Sequence, residues 1–117
     1  MRDIPVAQWS EFLEQFSREH RAWLASVERV HPAAPRRVEV NERPLLSIDS
    51  DAADGIVFRF DERSVRIDAP KALRVEETED GVVRGIELED WSGERASLRF
   101  RVAARPEALD GIAPGEF

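Results

Sequence analysis

A chain of 117 residues, 42% hydrophobic and 35% charged, is long enough to bury one core. It holds no run near the ~20 apolar residues that a membrane helix needs. A net charge of -7 and a pI of about 4.9 disfavour duplex nucleic acid, whose phosphates demand a dense basic surface. The absence of cysteine excludes disulfides, a thiolate nucleophile and a thiolate metal site.

Met1-Arg2-Asp3-Ile4-Pro5 carries one basic residue and no apolar region, so no secretory signal is read and the cytoplasm is expected. Pro5 suits the first turn of a helix, where its missing N–H costs nothing. Trp9, Phe12, Leu13, Phe16 and His20 then recur at helical spacing, with Gln8, Glu11, Gln15, Arg18 and Glu19 opposite. The spacing predicts an amphipathic helix from Val6 to about His20. From Trp23 the period changes to two, which predicts a strand to about Val30. His31-Pro32-Ala33-Ala34-Pro35 reads as a break, because prolines are excluded from central strands. Val38 and Val40 mark a short strand cut at Pro44. Leu45 to Asp49 is another strand, or its continuation past a bulge. Asp51-Ala52-Ala53-Asp54-Gly55 is a turn.

The second half reads as a meander. Ile56, Phe58 and Phe60 face one way, Val57, Arg59 and Asp61 the other; Asp61 to Ser64 turns the chain, and Val65 and Ile67 continue the apolar face to Pro70. Leu73 and Val75 begin the next strand, and Asp80-Gly81 predicts a two-residue type I′ hairpin. That loop pairs Val75 with Ile86, Leu73 with Leu88 and Arg74 with Glu87. A short loop at Ser92-Gly93-Glu94 would then pair Leu88 with Leu98 and Glu87 with Arg99, so Arg74, Glu87 and Arg99 would form a charged ladder. The expected core of this sheet is Leu73, Val75, Ile86, Leu88, Leu98 and Phe100.

These readings predict an α+β fold. An N-terminal amphipathic helix precedes a twisted antiparallel meander of five or six strands, curling toward a partly closed small barrel. Residues 1–105 form a single domain. Residues 106–117, punctuated by Pro106, Gly111, Pro114 and Gly115, form a loosely ordered tail.

The segments Ile4-Pro5, Trp9, Phe12-Leu13 and Phe16-Ser17-Arg18-Glu19-His20-Arg21 resemble a known family. So do Val75-Glu76-Glu77-Thr78-Glu79-Asp80-Gly81 and Leu98-Arg99-Phe100-Arg101. The family is one of short single-domain bacterial and archaeal proteins classed as a domain of unknown function. The resemblance spans the chain up to Arg101 and implies no activity. Ala22 departs from it, since the resemblance implies glycine there, in a tight turn between helix and first strand.

Candidate functional residues are few. His20 and Arg21 end the helix, where a protonated histidine would complement the helix dipole, pack at the core edge, or contact a partner. His31 reads as a solvated loop residue. Asp49-x-Asp51-x-x-Asp54-Gly55 fails the spacing of a calcium loop and reads as a turn. Glu76, Glu77, Glu79 and Asp80 read as a solvated hairpin tip, and Gly81 and Gly85 form no phosphate loop. Trp9 and Trp23 belong to the core and its edge. Trp91, at a turn, either closes the core or stands exposed as a partner anchor. The expectation is a non-enzymatic interaction module, without cofactor or metal, that binds a protein partner or itself through Trp91, His20 and Arg21. The alternatives are an oligonucleotide-binding small barrel using arginines on one face, and an enzyme using His20 with an acidic partner.

Overall fold

The chain enters its helix through a 3-10 turn at Val6–Gln8, directly after Pro5. Helix α1 spans Trp9–Glu19 and buries Leu13, Phe16 and Ser17, with Trp9 and Phe12 packed on the same core. The indole N–H of Trp9 donates to the Ile4 carbonyl at 2.8 Å, which fixes the angle of entry. At the far end the His20 amide closes the last turn on the Phe16 carbonyl at 3.1 Å. Ala22 then takes a left-handed φ of 70°, and its amide donates to the Leu45 carbonyl at 2.7 Å. The computed structural model describes residues 1–50 and 54–104, the side chains of 102–104 excepted. Residues 51–53 of the expected turn over 51–55, and the tail over 106–117, lie outside the described residues.

Eight strands follow the order β1-β6-β7-β8-β2-β3-β4-β5, each antiparallel to its neighbours. They are β1 (Arg2–Asp3), β2 (Leu24–His31), β3 (Ala34–Ser50), β4 (Ile56–Phe60), β5 (Ser64–Ile67), β6 (Ala72–Glu77), β7 (Val83–Glu89) and β8 (Arg95–Ala104). Among the described residues the expected five or six strands are therefore eight. Arg2–Asp3, too short to carry a period, adds an edge to β6. The expected barrel does not close, since the order is linear and ends on β1 and β5.

The open sheet is nevertheless curled. Strands β5 and β6 stand six places apart, about 29 Å along a flat sheet. Only residues 68–71 join them, a reach of about 17 Å. Arg29 braces the curl from β2: its guanidinium donates to the Arg66 carbonyl of β5 at 2.6 Å and to Glu94 at 3.1 Å. One buried cluster lines the concave side, with Leu73, Val75, Ile86, Leu88, Leu98 and Phe100 joined to Ile48, Phe58 and Val65. The six residues expected to form the core of the second half are all in it.

Strand β3 corrects the proline reading, because it runs unbroken through Pro35 and Pro44. Its first part, as far as Pro44, pairs with β2 alone, and its last part, from Leu45, pairs with β4. Both prolines thus sit where one side of the strand has no ladder to lose. Only Pro32-Ala33 turn the chain, with His31 opposite Ala34. The Ala33 amide donates to Nδ1 of His31 at 3.1 Å.

The β6–β7 pairing is the expected one: Leu73 with Leu88, Arg74 with Glu87, Val75 with Ile86. The turn is not type I′. The Gly81 amide bonds the Thr78 carbonyl at 3.0 Å and the Thr78 amide the Val82 carbonyl at 2.9 Å, a three-residue loop with Gly81 alone at positive φ, 81°. A bulge before Gly85 then restores the register. The β7–β8 pairing is displaced by two residues from expectation, with Leu88 opposite Ala96, Ile86 opposite Leu98 and Glu87 opposite Ser97. The hairpin closes at Asp90, whose Oδ1 accepts from the Ser92 amide (2.8 Å), the Ser92 hydroxyl (2.7 Å) and the Glu94 amide (3.1 Å). The charged ladder is accordingly split. Arg74 bonds Glu87 at 3.1 Å, while Arg99 reaches across Gly85 to Glu76 at 3.2 Å.

Candidate functional site

His20 lies where α1 ends against β8, and only 6% of it is exposed. Its ring stacks on Phe100 at 4.7 Å, meets Phe16 at 4.3 Å and abuts Trp23 edge-on at 5.0 Å. Nδ1 lies 2.8 Å from the Phe16 carbonyl. A carbonyl only accepts, so Nδ1 carries the proton and the neutral ring keeps its lone pair on Nε2. Burial pushes the pKa of His20 down, against the pull of the Phe16 carbonyl and the Glu19 charge.

The same ring lines a cavity of about 270 Å³ between α1 and the β6–β7 hairpin. Phe12, Phe16, Val75 and Val83 supply its apolar walls; Arg2, Gln15, Glu19 and Glu77 supply polar groups. Arg2 bonds Glu77 at 3.3 Å, and the Gln15 amide donates to Glu19 at 3.2 Å. No serine or threonine lines this cavity, so a base at Nε2 would have water as its partner.

Arg21, next in the chain, opens elsewhere. It is exposed and lines a groove of about 360 Å³ between α1 and the end of β3, with Ser10, Arg18 and Leu46. Ser17 closes the floor of that groove, its hydroxyl accepting from the Ile48 amide at 2.8 Å and donating to the Leu13 carbonyl at 2.7 Å.

Trp91 stands at the β7–β8 turn with 77% of its surface exposed, so it does not close the core. Lys71 sits 5.6 Å over its ring. The turn beneath is held by the three bonds to Asp90. Partial burial pushes the Asp90 carboxyl up, but the Ser92 hydroxyl and the turn amides outweigh it and hold it below the usual carboxylate range. Gly93 presses on the neighbouring β2–β3 turn, where a Cβ would meet Pro32 at 3.3 Å. Val30, opposite Arg95, and Val38 on the same hairpin are 42% and 57% exposed. The structure thus separates the three predicted contact residues into a cavity, a groove and a turn.

The arginine face expected of an oligonucleotide binder is neutralised. Arg59 bonds Asp49 at 2.6 Å, Arg66 pairs with Asp68, Arg99 with Glu76 and Arg101 with Glu42. Arg74 joins Asp3, Glu87 and Glu89, at 3.0, 3.1 and 3.0 Å. Its hydrogen bond holds the Glu89 carboxyl below the usual range. Among the described residues, no group of three or more histidine, aspartate or glutamate side chains is placed to hold a metal ion. No helix among them is long and apolar enough to cross a membrane.

The cavity was beyond sequence reasoning. Helix and hairpin were each legible, but their juxtaposition rests on the N-terminal strand β1 pairing with β6, which two residues cannot announce.

A family model described as a family of unknown function (DUF5335) matches residues 1–111. An uncharacterized protein of Aquifex aeolicus (strain VF5) is 35% identical over 103 residues, covering 86% of this chain and 91% of that protein. No solved structure matches.

Proposed function

The chain belongs to this family of unknown function (DUF5335), and from that premise we propose that it is a small interaction module that docks on a protein partner through the end carrying Trp91. The observation that carries the reading is an indole 77% exposed on a turn closed by three hydrogen bonds to Asp90. An exposed tryptophan on a mobile loop would lose ordering entropy on binding; here the Asp90 carboxylate and the Pro32 ring have already ordered the turn. Tryptophan is among the residues most enriched at interface hot spots, and Val30 and Val38 of the neighbouring β2–β3 hairpin are exposed as well. A second copy of the chain is one form such a partner takes.

The test is capture with wild-type and Trp91→Ala protein in parallel, beside sedimentation of each pure chain. The reading expects a stoichiometric partner, or a self-associated species, that the variant loses. Equal retention by both proteins, or no specific species with either, overturns it.

A further inference from the structure

We propose that the cavity beside His20 binds a small organic amine, its ammonium held between the Glu19 carboxylate and Nε2 of His20 and its apolar body on Phe12 and Phe16. This goes beyond the docking role of Trp91 and stands on different residues.

Charge comes first. Two carboxylates and one guanidinium line the cavity, Glu19 and Glu77 against Arg2, which leaves one negative charge. Arg2 is spent on Glu77 at 3.3 Å. Among the described residues, Glu19 meets the neutral amide of Gln15, at 3.2 Å, and no cation. Glu19 and His20 are neighbours in the chain, and both line this cavity.

Hydrogen-bond polarity comes second. Because Nδ1 donates to the Phe16 carbonyl, Nε2 can only accept. A ligand atom there must therefore be a donor. An ammonium satisfies both groups; an alcohol satisfies Nε2 but leaves the charge of Glu19 unanswered, and a carboxylate is repelled. The phenyl faces of Phe12 and Phe16, 5.6 Å apart, add cation–π attraction and apolar contact. The cavity of about 270 Å³ lies just below the roughly 300–1,000 Å³ of drug-sized ligand sites, so it suits a ligand of fragment size. That is the size of one ring on a two-carbon amine.

The experiment is an amide-resolved NMR titration of the full chain with phenethylamine, 2-phenylethanol and 3-phenylpropionate. The expected result is saturable shifts at Phe12, Phe16, His20 and Val83 with the amine. Binding should be about tenfold weaker for the alcohol, as for loss of a charge-assisted bond. Glu19→Gln, at an exposed position, should weaken the amine about tenfold and leave the alcohol unchanged. His20→Phe should weaken both. Equal affinity for amine and alcohol, preference for the carboxylate, or no saturable shift up to about 10 mM overturns the proposal. So does zinc shifting the same residues while the amine does not.

Discussion

Ala22 holds a φ of 70° at the point where α1 passes to β2, a conformation that costs an L-residue roughly 1–2 kcal/mol. Glycine adopts it without strain but loses about 0.4–1 kcal/mol through the freer unfolded chain. The net favours glycine, so Ala22→Gly is expected to raise stability by about 0.5–1 kcal/mol in a urea titration; a loss would place the helix exit elsewhere. The resemblance implies glycine here, and Ala22 holds the left-handed conformation that glycine adopts most easily. His20 supplies a second residue-scale test. Its folded pKa lies below the unfolded value of about 6.5, so the unfolded chain binds the extra proton between the two values. The stability from this neutral ring is complete above about pH 6.5 and is lost as pH falls toward the folded pKa. His20→Gln should flatten the stability profile between about pH 7 and 5.5, above the carboxylate range; an unchanged slope would mean the ring is solvated.

Helix α1 is held by its apolar stripe, and Phe16 is the residue that reaches Phe12, His20 and Phe100 together. Phe16→Ala should cost ~3–5 kcal/mol by chemical denaturation, and a loss under ~1 would mean the helix is not docked on the sheet. In the sheet, Gly85 allows β7 to press against β8, since a Cβ built there would collide with the Leu98 carbonyl oxygen. Gly85→Ala should therefore destabilise by ~1–3 kcal/mol, read in the same titration; a neutral result would put the bulge elsewhere. These elements also mark how far the sequence was legible. Alternation placed Leu73, Val75, Ile86, Leu88, Leu98 and Phe100 on the buried face, because a one-residue slip would bury charge. It could not see the two-residue slip between β7 and β8, which leaves every side chain on its proper face. That slip was decided by the Asp90 side chain capturing the turn amides, an interaction without a period. The Asp80-Gly81 turn was misassigned in type, yet its register was right because the three-residue loop and the bulge before Gly85 cancel. The prolines of β3 misled for a related reason: a sequence does not say which side of a strand lacks a neighbour.

At the scale of the whole molecule, an eight-stranded sheet is curled by the four-residue link from β5 to β6 and braced by Arg29, which ties β2 to β5. That curl puts the apolar faces inward, while the pairing of β2 with β8 sets the β2–β3 and β7–β8 turns side by side, with Trp91 exposed on the second. The basic residues expected to recognise nucleic acid are spent on carboxylates, so the surface offers apolar anchorage at that end rather than a phosphate track. The exposed indole makes little contact with the core, so its removal should be nearly neutral for folding, within about 0.5 kcal/mol. The most direct measurement is complementation of a deletion strain by Trp91→Ala, beside the melting curve of the purified variant. Trp91→Ala should melt like the wild type and lose complementation. Full complementation by a variant that melts like the wild type would contradict the docking role of Trp91.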